Sequence, residues 1–174
     1  MKLQELLIDM AERPRERILG VLDGLTPAQA NAFPVEALAP SIKSITWLAW
    51  HTAREQDLQI ADLSGRDPVW ISEGWRERFA LDLPDDTEDW HHTPAEAAKV
   101  VVPDVELLRG YLNAATDATI RYLRSLSAAS LDEVIDRNWT PPVTRAVRLV
   151  SILDDASMHS GQAVYARRLL GLEG

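Results

Sequence analysis

The chain has 174 residues, 46% of them hydrophobic and 26% charged, with no cysteine and a formal net charge of −9 from 18 basic and 27 acidic side chains. That composition describes one ordinary globular domain over 1–174, and the missing cysteines exclude a disulfide framework, a zinc–thiolate site and a cysteine nucleophile together. The acidic balance, without any Lys/Arg-rich block, argues against a nucleic-acid partner. No apolar run approaches the roughly 18 residues of a membrane span, and the charged N-terminus is unlike a signal peptide, so the expected setting is the cytoplasm.

In chain order, residues 2–24 form the first predicted helix. Leu3, Leu7, Met10, Ile18, Val21 and Leu22 share one face at helical spacing, Pro14 is expected to kink or divide it, and Gly24 to stop it. Residues 25–40 hold three prolines and form a connection with one short turn after Thr26-Pro27. Ser41 is the expected N-cap of a second helix reaching Leu63 (41–63), in which Ile45, Trp47, Leu48, Leu58 and Ile60 surround His51. From Arg66 to His92 the periodicity fails. This long insertion carries Trp70, Trp75 and Trp90 and is expected to contain one short helix around Glu73–Phe79. Its tryptophans either pin the loop to the helices or cover a pocket.

Thr93-Pro94-Ala95-Glu96 has the form of a capping box with proline at the first helical position, and Val100-Val101-Val102 is expected to be extended. A third long helix runs over 104–125, with Val105, Leu108, Leu112, Ala115, Ile120 and Leu123 buried. A polar stretch then leads to a fourth over 144–170, with Gly171 at C′. Four long helices joined by a few loops predict an all-α four-helix bundle.

Four histidines are available: His51, His91, His92 and His159. Asp155 and His159 stand at i, i+4, which places both side chains on one helical face with Cβ atoms about 5–6 Å apart. Two ligands at that separation close on one ion, and His51 is the remaining mid-helix histidine able to supply a third. Two imidazoles and a carboxylate leave open positions and suit catalytic Zn²⁺, Ni²⁺, Fe²⁺ or Mn²⁺. The same residues also fit a plain Asp–His hydrogen bond and a satisfied core histidine, and spacing alone does not separate these readings. A di-iron bundle needs two Glu-x-x-His motifs; Glu88-Asp89-Trp90-His91 is the sole match. His91-His92 reads as a surface pair, Trp47, Trp50 and Met158 as core packing, and Arg167-Arg168 as the complement of the last helix dipole.

Leu48-Ala49-Trp50-His51 on the second helix, followed by His159-Ser160-Gly161-Gln162 on the last, resembles the DinB-like superfamily. That superfamily includes the bacillithiol transferases and the metal-binding domain of mycothiol-dependent maleylpyruvate isomerase. The resemblance implies a DinB-like bundle with a long insertion between helices 2 and 3, a homodimer, and a three-ligand Zn²⁺ or Ni²⁺ site at His51, Asp155 and His159. It also implies a low-molecular-weight thiol cosubstrate such as mycothiol and a small-molecule substrate. The position of Asp155 is usually histidine in the family, so the departure hardens the donor set. Glu55 and Gln162 are candidates to orient the ligands. The reading is a thiol S-transferase or isomerase. The alternatives are a metal-dependent hydrolase and a non-enzymatic dimeric bundle with a vestigial metal site.

Overall fold

A computed structural model describes residues 2–172; Met1, Glu173 and Gly174, the ends of the expected 1–174 domain, lie outside them. Among the described residues eight α-helices occur in chain order: α1 (Leu3–Leu22), α2 (Pro27–Asn31), α3 (Ile45–Ser64), α4 (Val69–Ser72), α5 (Trp75–Phe79), α6 (Pro94–Ala97), α7 (Val105–Ser125) and α8 (Arg145–Leu169). Two short strands, β1 (Val134–Asp136) and β2 (Val143–Thr144), pair antiparallel just before α8. The long helices α1, α3, α7 and α8 form the bundle, each packing on two others in the cyclic order α1–α7–α3–α8.

Local chemistry sets most boundaries. Ser44, not Ser41, caps α3, its hydroxyl accepting from Trp47 N at 3.1 Å; residues 41–43 are a turn. A cap of this kind stabilises a helix by about 1 kcal/mol. Gly65, left-handed at φ 65°, ends α3. The capping box at Thr93–Glu96 forms as expected, and a second one closes at Thr26–Gln29. Gly171 (φ 74°) terminates α8: its N–H donates to Arg168 O at 3.0 Å, and Leu172 N–H donates to Arg167 O at 3.2 Å. Those two bonds make a Schellman motif.

Several sequence expectations are corrected. Pro14 does not divide α1; it lies buried within one continuous helix, where packing offsets the one backbone bond it removes. Ala11 and Pro14 replace the partly exposed Met10 on the buried face. Val100–Val102 is irregular rather than extended strand, and the polar stretch before α8 holds the small ribbon. Met158 points outward, 51% exposed, rather than into the core. Arg167 acts on another helix: its guanidinium donates to Val21 O (2.6 Å) and Asp23 O (2.9 Å), satisfying carbonyls at the end of α1.

The 66–92 insertion is more ordered than its sequence suggests. Pro68 gives α4 no side-chain cap, so buried Asp57 of α3 supplies one. Asp57 accepts from Val69 N (2.7 Å), Trp70 N (2.8 Å) and the Tyr111 hydroxyl (3.1 Å). Trp70 and Phe79 pack on Tyr111 with ring centroids 4.9 and 5.8 Å away. Trp75 lies against Gly110, whose missing Cβ is what admits the indole. Two of the three tryptophans therefore pin the insertion, while Trp90 remains 57% exposed. Pinning matters for function because the same segment carries Asp89 and His92 under the bundle. Among the described residues no helix is long and apolar enough to cross a membrane.

Candidate metal centre

α3 and α8 present His51, Asp155 and His159 to one another, and one ligand atom from each lies within 4.8 Å of the others. Asp155 divides its oxygens between the rings: Oδ1 is 3.3 Å from His159 Nε2, and Oδ2 is 3.9 Å from His51 Nε2. A tetrahedral site with bonds of about 2.0–2.1 Å has donor–donor edges of about 3.3 Å. The observed spacings are thus those of ligands around an ion, slightly open. The two imidazoles meet edge to face, with centroids 4.5 Å apart.

The far sides of both rings are fixed. His159 Nδ1 donates to Gln162 Oε1 at 2.8 Å, and His51 Nδ1 donates to Asp89 Oδ2 at 2.8 Å. An acceptor on each Nδ1 leaves each Nε2 lone pair for coordination, as in the carboxylate–histidine arrangement common to metal sites. Asp155 Oδ2 is buried with no hydrogen-bond partner. An orphaned carboxylate oxygen beside two Nε2 atoms fits a divalent cation.

Asp89, wholly buried, was not marked by the sequence as a functional residue. It belongs to the Glu88-Asp89-Trp90-His91 run, which in the structure is a turn of 3₁₀ helix over Asp89–His91. Burial raises the Asp89 carboxyl, but the hydrogen bond and charge of His51 together with Arg54 hold it below the ordinary value. Arg54 Nε lies 3.9 Å from Asp89 Oδ2. Glu55 faces the same group, and its ligand oxygen lies within 4.8 Å of those of His51 and Asp89. Burial, then the Asp89 and Asp155 charges, push Glu55 up to about 8, against the opposing bond from Gln59. Glu55 Oε1 and Asp89 Oδ1 are both buried without partners. A proton held by Glu55 and directed at Asp89 would satisfy both, and His51, Glu55 and Asp89 form a close cluster behind the ligand set.

His92 is a further correction: it is buried rather than a surface residue, whereas His91 is exposed. Trp47 Nε1 donates to His92 Nδ1 at 3.1 Å, so His92 Nε2 carries the hydrogen that meets Thr87 Oγ1 at 2.8 Å. Burial lowers its pKa and keeps it neutral. Trp47 also stacks on His51 at 4.4 Å, walling the site with an aromatic face. His159 titrates above its ordinary value: burial lowers it, but the bond to Asp155 and the Asp155 charge, aided by Gln162, outweigh burial.

The structure thus brings together all three residues singled out as ligands and sets Gln162, one of the two candidate orienting residues, against His159; Glu55, the other, lies beside His51 and Asp89. A family model for the DinB superfamily matches residues 10–163, a span that holds all three. A conserved protein from Enterococcus faecalis, known from a crystal structure, is 58% identical and superposes with a TM-score of 0.91 over 98% of both chains. Among curated proteins none matches.

Proposed function

The chain belongs to the DinB superfamily, and from that premise we propose that it is a metal-dependent enzyme, a thiol S-transferase or isomerase acting on a small molecule in the cytoplasm. The observation that carries this reading is the convergence of His51 Nε2, Asp155 and His159 Nε2, with both Nδ1 atoms engaged elsewhere and Asp155 Oδ2 left without a partner.

In this reading His51, Asp155 and His159 hold the ion, Zn²⁺ or Ni²⁺ before Fe²⁺ or Mn²⁺. A divalent ion there supplies a Lewis acid that lowers the pKa of a thiol or water. The protein's own residues do the rest. Asp89 and Gln162 orient the two rings, and Trp47 excludes water from one side of His51. Glu55, holding a proton near neutral pH, is placed to release or take one beside His51. With no cysteine in the chain, the thiol in this proposal is a low-molecular-weight cosubstrate of the mycothiol or bacillithiol kind. A second copy is the proposed partner, supported by Val147, Val150 and Met158, which stand half or more exposed along the outer face of α8.

Elemental analysis of untagged protein purified without chelators, beside His51→Ala and Asp155→Ala, tests the site. Near-stoichiometric metal in the wild type and loss in both variants is the expected result. Thiol-dependent turnover of electrophiles then tests the chemistry. Turnover without thiol would favour hydrolysis instead, and a wild type that takes up none of the four metals would leave a vestigial site. Light scattering of the wild type against Val150→Asp tests the homodimer.

A further inference from the structure

Between the start of α3 and the last third of α8 a cleft of about 420 Å³ opens beside the metal centre. Leu48 and Ala166 form its buried floor, Ile42 and Tyr165 its half-open sides, and Lys43 and Gly161 its rim. We propose that this cleft receives an organic carboxylate with an apolar body, the acid on Lys43 and the body against Leu48 and Tyr165. The inference deepens the enzyme reading by naming a substrate class for the same site, and it rests on that reading for what happens at the ligand's other end.

Three observations support it. Lys43 is the one cation of the lining. It is held by neutral groups: Nζ donates to His92 O at 2.9 Å and stands 5.3 Å over the Trp47 ring. Among the described residues it forms no salt bridge, so donors remain for an incoming anion in a chain whose net charge is −9. Second, the cleft is open space rather than loose packing: a Cβ added at Gly161 would meet nothing within 4 Å. Third, the cleft and the metal centre share walls. Gln162 lines the cleft and accepts from His159, and Trp47, beneath Lys43, stacks on His51. Two residues of its lining, Leu48 on α3 and Gln162 on α8, stand one helical turn from His51 and His159, so a ligand in the cleft lies beside the metal centre.

The test uses full-length protein of measured metal content and two probes, 4-phenylbutyrate and its neutral amide, titrated by calorimetry. Wild type is expected to bind the carboxylate about ten-fold more tightly than the amide, the contribution of one charge-assisted contact. Lys43→Met should erase that preference and leave amide binding intact. Gly161→Leu, whose Cβ meets nothing within 4 Å and whose backbone is unstrained, should fill the cleft and abolish binding of both probes. Metal content should match wild type in both variants; Gly161→Leu should melt as wild type does, and Lys43→Met slightly lower for the loss of its bond to His92 O. Equal binding of acid and amide by wild type, or acid binding untouched by both substitutions, overturns the proposal. So does a Gly161→Leu that dissociates a dimer while probe binding persists, since a second copy would then be the occupant. A wild type without metal that still prefers the acid leaves the cleft standing and removes the enzyme reading. A metal-loaded protein that binds neither probe does the reverse.

Discussion

Substituting Asp89 tests the centre from behind without touching a proposed ligand. Its carboxylate is wholly buried, accepts from His51 Nδ1 at 2.8 Å and has Arg54 Nε 3.9 Å away. Asp89→Asn keeps an oxygen for the His51 hydrogen bond but removes the negative charge that makes the imidazole a stronger donor. Losing such an orienting partner costs about 10–100-fold in metal affinity, which is about 1.4–2.7 kcal/mol. The pair is dry, so the upper part of that range is expected. Asp89→Ala goes further: the His51 N–H loses its acceptor and the buried Arg54 its nearest carboxylate, a break that costs about 3–5 kcal/mol of stability. Competition against a chromophoric chelator measures the first effect, and urea unfolding of the metal-free protein measures the second. The asparagine variant should bind metal weakly and lose part of that stability, because it too removes the carboxylate beside Arg54; the alanine variant, which also strands the His51 N–H, should lose more on both counts. Wild-type metal affinity in Asp89→Asn, or equal loss of stability in the two variants, would refute the assignment of Asp89 as the group that orients His51.

Three further outcomes follow from contacts already described. Gly110→Ala forces its methyl into the Trp75 ring; overpacking of about 1–3 kcal/mol, less about 1 kcal/mol of gained helix propensity, should leave a net loss read as a lower urea midpoint with an altered near-UV signal. In the metal-free protein, Glu55 keeps its proton to about pH 8 where the unfolded chain releases it near 4.5. Its contribution is therefore full below pH 4.5 and is lost as pH rises towards 8, so the urea midpoint of wild type should fall over that window relative to Glu55→Gln; parallel curves would contradict the proton on Glu55. His159, raised by Asp155, must give up its extra proton to coordinate. Apparent metal affinity should thus weaken about ten-fold per pH unit below its folded value, with the onset moved to lower pH in Asp155→Asn, as chelator competition across pH would show.

The four long helices were legible because each buries one face at helical spacing; the six apolar positions named on α7 are all buried. The i, i+4 pair on α8 was legible for the same reason, since a helix fixes which residues share a face before anything packs on it. What escaped is what tertiary placement decides. Ser41 and Ser44 are equally good caps on paper, and the path of the preceding turn selects Ser44. Nothing in Glu88-Asp89-Trp90-His91 distinguishes an inward acid from its exposed neighbours, and His92 differs from His91 only in the side of a 3₁₀ turn on which it falls. The anchoring of the segment that leads to that turn depends on Asp57 and on the adjacent Gly110 and Tyr111, which are distant from it in sequence. Arg167 illustrates the same limit: its own helix dipole was a sufficient reason for it, yet it serves the end of α1.

The two imidazoles are not equivalent, and their difference gives the site a direction. His51 is backed by a buried carboxylate and a stacked indole, and its side chain is 3% exposed. His159 is backed by a neutral amide and is 13% exposed, and Asp155 is 27% exposed. A carboxylate acceptor raises the donor strength of its ring more than an amide does, so in the proposed site His51 is the stronger donor and the α8 pair the more exposed side. Exposure rises in the same order, from α3 outward across α8. The cleft lies on that side, and Gln162, the weaker of the two supports, forms part of its wall. A molecule entering there meets the more exposed half of the site first. An aspartate at position 155, with one oxygen for each ring, can then shift between them in a way that a third imidazole, with a single Nε2, cannot.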